Sequence, residues 1–561
     1  MCRKILLFFL FISLLTSLSA KKWGKYTLIA PQGTSAYLID TSSTSTSTYY
    51  HKWTFTTGST AYSAFLLPGG TLVRTVANTS NVLGGGGITG KVEKVDWNGN
   101  VIWSFTYSSS TYCLHHDICP LPNGNILMIS YDVKTSADAT TAGCSTTMSS
   151  GVYSEKIIEV QPSGTSGYTI VWEWHLWDHL CQSASSAKNN YVSSVSAHPE
   201  LMNINYSITQ DWWHMNGLDY NPYLDQIAIS SHNMNEIYVI DHSTTTAQAA
   251  THAGGNSGKG GDFLYRWGNT AAYGVTGTAN FNVVHDAHWV APYCPYGNYL
   301  GAFNNKGATS SKSCIDYINP PYNGYTYTFS SSTYTPSTYN WRYTYTGNAA
   351  NDQGSSQVLP SGNVLICAGT AGYVLEIDSA RSKVLWSMSA SCAQAFRYSE
   401  CYVAGTQPAT PTVSQSGNTL TCSGDGSTYM WFYNGYKIQG ATSKTYTATA
   451  TGNYQVQVYS GTDCFSTLSD KFSLSTLTAV EIPPITQISY YPNPATNNIH
   501  IEIPSTESAW SIDLYNLVGK KVISASNASD ITVLELPNGI YILNVCGTNN
   551  QLLNKQVIIN H

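Results

Sequence analysis

The residues of this chain best suited to chemistry are its histidines. There are fourteen, and none lies between His288 and His500. Imidazole serves as nucleophile, general acid or base, or metal ligand near neutral pH. The spacing is regular. Counting back seven residues from a recurring Pro/Asn turn gives His115 before Pro122, His214 before Asn221 and His288 before Pro295. His116-Asp117 and His285-Asp286 add a His-Asp pair at nearly the same phase. Equal phase in a repeat architecture means equal radius, so these imidazoles are expected to converge, with the adjacent carboxylates fixing their tautomers. A lone histidine at a strand start most often just bonds the neighbouring turn; the common register favours a site. A short histidine-rich ligand motif such as HExxH is missing, so neither a metal nor another cofactor is expected.

The elements that would position them repeat. One half of the unit is a strand ending in a tight turn, as in Leu66-Leu67-Pro68-Gly69-Gly70, Leu121-Pro122-Asn123-Gly124-Asn125 and Leu359-Pro360-Ser361-Gly362-Asn363. The other half is a strand, a polar turn and a strand bearing Trp, as in Val95-Asp96-Trp97 to Trp103 and Leu375-Glu376-Ile377-Asp378 to Trp386. Five full copies and an opening half-copy ending at Trp53 imply an all-β, six-bladed β-propeller over residues 21–405, closed by its N-terminal strands. Trp103, Trp172, Trp267 and Trp386 recur at one blade position and are read as core. Trp212, Trp213 and Trp289 could instead line a channel mouth and stack an aromatic ring. The tract Gly84 to Gly87 lacks the Lys-Ser/Thr of a phosphate-binding loop and reads as a turn.

Composition agrees with β structure. Only 10% of the 561 residues are charged, and the net charge of -6 comes with no basic run, which argues against a nucleic-acid partner. Met1 to Lys4, the apolar run Ile5–Leu15 and Ser17-Leu18-Ser19-Ala20 have the layout of a secretory signal cleaved after Ala20. No stretch reaches the roughly 20 apolar residues of a membrane span. Without Cys2 the cysteines are even in number, as suits an oxidising compartment, and the local spacings suggest Cys113–Cys119, Cys294–Cys314, Cys392–Cys401 and Cys422–Cys464. Residues 407–475, with Cys422, Trp431 and Cys464, read as an immunoglobulin-like β-sandwich, and residues 485–561 as a small strand-rich β-sandwich.

That last segment, with Tyr491-Pro492-Asn493-Pro494, Ile512-Asp513-Leu514-Tyr515-Asn516-Leu517-Val518-Gly519-Lys520 and Leu536-Pro537-Asn538-Gly539-Ile540-Tyr541, closely resembles the C-terminal sorting domain of the type IX secretion system. The resemblance implies the type IX machinery as partner and release or attachment at the cell surface. Upstream, Trp23 to Pro31, Leu114-His115-His116-Asp117, Trp213-His214-Met215-Asn216-Gly217-Leu218-Asp219-Tyr220, Ser231-His232-Asn233 and His285-Asp286-Ala287-His288 resemble bacterial arylsulfotransferases. That family is a six-bladed propeller moving a sulfuryl group from a phenolic sulfate to a phenol, without phosphoadenosine phosphosulfate, through a sulfohistidine. The resemblance implies His214, His285 and His116 as catalytic residues, with His115 and His288 beside them. Asn216, Asp286 and Asp117 would orient them, and His232, Gln353, Lys306 and Trp213 would contact substrate. The chain also departs from the family: Gln353 stands at the phase of its late nucleophilic histidine, and Asn304, Asn305 and Lys306 where an arginine is expected. Glutamine cannot form the covalent intermediate, so His214 or His285 is expected to take that role. The rival reading is an inactive surface propeller that binds glycan or protein; a third is hydrolysis of sulfate esters.

Overall fold

The computed structural model describes residues 23–477, 488–502, 509–547 and 552–561. The expected leader, 1–20, lies outside them. Among the described residues, six four-stranded antiparallel sheets follow one another between Tyr26 and Tyr398. In the second to sixth sheets, strands pair in the order in which the chain lays them down, as short tight turns between alternating apolar strands dictate. The first sheet differs: Tyr26–Ile29 pairs on one side with Ser35–Asp40 and on the other with Ala395–Tyr398, Tyr26 lying opposite Tyr398. The two ends of the repeat region are thus joined in one sheet.

The first strands of the sheets, Thr60–Leu66, Tyr112–Pro120, Met215–Asn221, Val284–Trp289 and Ser355–Val358, adjoin one another in sequence, and Ser355–Val358 adjoins Ala395–Tyr398. Phe65 stacks on Phe396 at 4.8 Å, which closes the circuit. These strands line a central channel in a propeller-like arrangement. The repeated turn is built the same way each time: the N–H groups of Leu67, Leu121 and Leu359 donate to the carbonyls of Thr71, Asn125 and Asn363, each at 2.8 Å. Gly124 and Gly362 sit there at φ +88° and +87°, a conformation that a Cβ would strain.

The regularly placed tryptophans are buried, and they also join successive sheets. Trp53 donates from Nε1 to Asp96 O (3.0 Å), Trp103 to Gly167 O (2.9 Å), Trp172 to Thr244 Oγ1 (3.1 Å), Trp267 to Pro336 O (2.6 Å) and Trp386 to Ser43 O (2.7 Å). Each is worth about 1 kcal/mol net, so as a set they fix how the sheets meet. Trp212 and Trp213, expected at a channel mouth, are instead fully buried in the core. Trp213 packs against Phe263 and Tyr238, because the strand that follows it turns His214 and not the indole toward the channel.

Two facing sheets built from Val413–Leu474 follow, with Trp431, Cys422 and Tyr454 buried between them. Tyr454 Oη donates to Ala450 O at 2.8 Å, tying the corner before its strand. Cys464 bonds Cys401, not Cys422. The other expected pairs are also absent among the described residues. Cys113 and Cys119 share one extended strand, which at about 3.3 Å per residue holds them far apart. Cys294 and Cys314 have separate backbone and carboxylate partners, and Cys392 faces Cys367 with sulfurs 3.6 Å apart. The Cys401–Cys464 bond closes 63 residues of sequence. Replacing both by serine is expected to cost up to about 4 kcal/mol by chain entropy, measured as a lower unfolding midpoint that reductant no longer shifts.

Residues 476–561 form a separate unit. A three-stranded and a four-stranded sheet enclose Ile499, Ile512, Leu514, Leu543, Val545 and Val557. No described helix is long and apolar enough to cross a membrane.

Candidate active site

The channel strands are not regular where the histidines sit. Pairing slips between Leu114 and Ile118, between Met215 and Gly217, and between His285 and His288. Such bulges re-aim side chains at the rims of β structures. His116 (φ 48°), His214 (φ 54°), Asp286 (φ 59°) and Gln353 (φ 61°) all adopt left-handed backbone conformations there. That strain, in or just before four successive channel strands, is of the kind that clusters at functional sites.

The result is a row of four imidazoles. His116 lies 4.8 Å from His214 between ring centres, His214 5.0 Å from His232, and His232 5.7 Å from His285. Each has a hydrogen-bonded acceptor or relay behind it. Asp211 Oδ2 is 2.9 Å from His214 Nδ1 and also accepts from Gly86 N. Asn233 Oδ1 is 2.7 Å from His232 Nδ1, and its amide nitrogen donates to Asp211 O and Trp212 O, which settles which end of the amide accepts. Asn305 Oδ1 is 2.8 Å from His285 Nδ1, with its amide nitrogen on Ala350 O and Gln353 O. The Nδ1 atoms of His214, His232 and His285 therefore carry the proton in the neutral rings, and Nε2 holds the lone pair. For His285 that lone pair is engaged by Gln353 N–H at 3.3 Å. For His232, Nε2 lies 3.5 Å from Asp352 Oδ1.

His116 is held differently. Its Nδ1 meets His115 Nδ1 at 2.9 Å; His115 Nε2 meets Glu155 Oε2 at 2.8 Å and its ring stacks on Tyr131. His115 is thus a positioning residue behind the row. His288 is not part of it. The bulge after His285 turns it onto Asp286 Oδ2 (3.0 Å) and beside Tyr317, so equal distance from the turn did not mean equal placement. Asp117 and Asp286, expected as orienting partners, instead bridge neighbouring channel strands. Asp117 accepts from Leu218 N and Gln394 Nε2, and Asp286 from Ser356 N. Asn216 is fully buried, accepting from Ser230 and donating to Val284 O. Lys306 lies within Leu300–Thr309, the strand beside that of His285, its N–H on Asn282 O, and Gln353 contributes its backbone.

Electrostatics separate the four rings. Burial, reinforced by the charge of His214, pushes His116 well down, and the same two causes lower His232. Burial takes His285 down to about 3, with His232 adding to it. Burial also opposes charge on His214, but the hydrogen bond and the charge of Asp211 outweigh it and raise its pKa. Asp211 is correspondingly held down at about 2, its bond to His214 outweighing the burial that works the other way. One imidazole is therefore made more basic and three less so.

Sequence reasoning missed Asp211 and Glu155, and it gave Asn233 and Asn305 no orienting role. Asp211, three residues before His214, carried a signal in its proximity, and Asn305 one in its place where an arginine was expected; Glu155, from a strand two removed from that of His116, carried none. The glycine tract, read as a turn, does turn at Gly86 and Gly87, but its closeness to the histidines was not foreseen. Gly86 and Gly87 cover the row so closely that a Cβ on Gly86 would fall 1.9 Å from His214 Cε1, and one on Gly87 2.2 Å from His116 Cε1. Gly86→Ala is expected to displace the His214 ring and lower any reaction it performs by about 100-fold. Steady-state kinetics, with thermal unfolding to show the fold retained, would check this.

Asp117, Asp219, Asp286, His288 and Trp289 line a separate cavity of about 200 Å³, which none of the four rings borders. Burial, followed by the charge of Asp286, lifts Asp117 to about 7, and burial lifts Asp219 to about 6.

Residues 52–312 match the family model for arylsulfotransferase (ASST), and residues 489–560 that for the secretion system C-terminal sorting domain. No curated protein matches the chain. Among solved structures, a protein of unknown function from Bacteroides caccae is 11% identical, over 66% of this chain and 98% of that one, with a TM-score of 0.36. AztD from Citrobacter koseri is 8% identical, over 67% and 98%, with a TM-score of 0.31. Sqt1 from Saccharomyces cerevisiae is 9% identical, over 96% of each, with a TM-score of 0.29.

Proposed function

Starting from a chain whose residues 52–312 match the arylsulfotransferase family and whose C-terminal sorting domain marks it for secretion and surface attachment, we propose that it transfers a sulfuryl group from a phenolic sulfate ester to a phenol, with His214 as nucleophile and without phosphoadenosine phosphosulfate. The observation that carries this reading is the Asp211–His214 pair set in a row of imidazoles. Asp211 holds the Nδ1 proton and leaves the Nε2 lone pair for attack, the arrangement that activates a histidine. His285 suits the role less, because Gln353 N–H already engages its Nε2.

In the first step Nε2 attacks sulfur, the S–O bond to the aryl group breaks, and the phenolate leaves with the electron pair. In the second, the acceptor's phenolic oxygen attacks sulfur, the N–S bond breaks and His214 is restored. The acceptor's proton passes to the solvent or a neighbouring imidazole. As the sulfate monoanion enters, it favours protonation of His116 and His232, which burial otherwise keeps neutral, and their N–H groups then stabilise the sulfuryl oxygens. No metal or organic cofactor enters these steps. The signal sequence and the type IX machinery account for export, and the Val413–Leu474 module serves as an immunoglobulin-like spacer.

The assay is release of p-nitrophenol from p-nitrophenyl sulfate with and without phenol. Release that depends on phenol supports transfer. Release independent of phenol means hydrolysis, and no release with any phenolic acceptor means a binding propeller. The pH profile gives a second check. The nucleophile must be unprotonated and its pKa is raised, so kcat/KM is expected to rise with pH through a limb above the ordinary histidine value. Asp211→Asn removes the charge that raises that pKa; the limb should move to lower pH while the plateau falls.

A further inference from the structure

We infer that His179, His252 and Asp262 form a zinc site that clips two loops of the third and fourth sheets together. His179 is remote in sequence from His252 and Asp262, which are 10 residues apart, and no short motif announces the three. His179 follows the turn Leu176–Asp178, His252 follows the short helix Thr246–Ala249, and Asp262 closes a glycine-rich loop. His179 Nδ1 and His252 Nδ1 each lie 2.7 Å from the same atom, Asp262 Oδ1. The three potential ligand atoms lie within 4.8 Å of one another.

Donor counting points to a cation. His179 Nε2 faces Ala249 O at 2.8 Å, and a carbonyl only accepts. Nε2 must therefore carry the proton, so that Nδ1 meets the carboxylate oxygen either as the second N–H of an imidazolium or as the lone pair of a metal ligand. In the second case a metal ion shared with Asp262 and His252 would hold the three groups together. Donation of the second ring N–H to a backbone carbonyl is the usual support of a metal-bound histidine, since it fixes tautomer and ring orientation. The surroundings hold His179 in this pose: its side chain is fully buried, Trp174 lies parallel to it, and Trp174 Nε1 donates to Gly261 O at 2.7 Å. Gly261 has to be glycine, because a Cβ there would fall 2.1 Å from Ala249 O and 2.5 Å from His179 Nε2.

Two imidazole nitrogens and a carboxylate oxygen suit zinc, which accepts three protein ligands and leaves a fourth position for water. The His252 side chain, 61% exposed, supplies the entry path. The consequence reaches the candidate active site. Trp174 and Phe263, next to the ligands in sequence and space, pack on Trp213, the residue before His214. The clip therefore braces the shelf from which His214 projects.

The test is metal content of the full chain after zinc loading and exhaustive buffer exchange, with unfolding midpoints before and after chelation. The wild type is expected to hold one zinc per chain, with a midpoint that falls on chelation. His252→Ala, a change at an exposed side chain, should reduce retained zinc at least tenfold and remove the chelator effect. His198→Ala, at a histidine outside the cluster, should change neither. Wild-type protein that retains no more zinc than His252→Ala, with a midpoint indifferent to chelator, would overturn the proposal and leave His179 as a doubly donating imidazolium.

Discussion

Replacing His214 with alanine is expected to lower phenol-dependent turnover of p-nitrophenyl sulfate by at least the 10²–10⁴-fold typical of losing a group that handles the reacting proton, and to the limit of detection if it is the nucleophile. Three features occur together at His214 and at no other histidine of the row. His214 has a carboxylate behind it, at 2.9 Å. Its basicity is raised where its neighbours' is lowered. Its ring stands between two further imidazoles that can meet the sulfuryl oxygens. His116→Ala and His232→Ala should each cost less, since each removes one stabilising donor and not the attacking atom. His288→Ala should leave the chemical step almost unchanged, because that ring lines a cavity that none of the four rings borders.

The second large effect concerns stability. Arg266 and Glu236 are fully buried and doubly bonded, Nε to Oε1 at 3.1 Å and Nη2 to Oε2 at 2.5 Å, and Nη1 donates to the carbonyls of Pro199 and Leu201. Arg266→Leu is expected to destabilise by about 3–5 kcal/mol, the usual consequence of leaving one buried charge without its partner. The pH dependence follows by sign. Burial already raises the Glu236 pKa despite Arg266, and without the arginine it must rise further. A carboxyl whose folded pKa is raised loses stability as pH increases from its unfolded value through its folded one. The deficit of Arg266→Leu should therefore be greatest in neutral and alkaline buffer and shrink towards acid, as followed by denaturant unfolding at several pH values. Adding Glu236→Leu should recover part of the loss.

What the sequence made legible follows from what repetition can encode. The turn around Leu121 and Leu359 and the tryptophans at 103, 172, 267 and 386 are set by local rules repeated along the chain, and the structure shows one geometry for each. Histidines 116, 214, 232 and 285 were all singled out as site residues, and they share one row. Their exact phase was not legible, because a bulge between His285 and His288 shifts the count within a single strand. Phase alone chose His115, His214 and His288, of which His214 lies in the row, where His116 and His285 stand instead of the other two. Orienting groups were assigned by adjacency, which put Asp117 and Asp286 where Glu155 and Asn305 act from other strands. The same limit governs the cysteines: Cys464 is bonded to Cys401, from the end of the repeat region, and sequence proximity to Cys422 carried no information about it.

The central claim is that His214 carries the sulfuryl group between the two half-reactions. The direct measurement is to mix the protein with p-nitrophenyl sulfate in the absence of phenol, quench at alkaline pH, digest, and locate any added SO₃ group by mass spectrometry. The account predicts that the adduct sits on the peptide containing His214, forms together with a burst of p-nitrophenol, and disappears on adding phenol. Phenol-dependent turnover with no adduct at His214, or with the adduct on another residue, would contradict it.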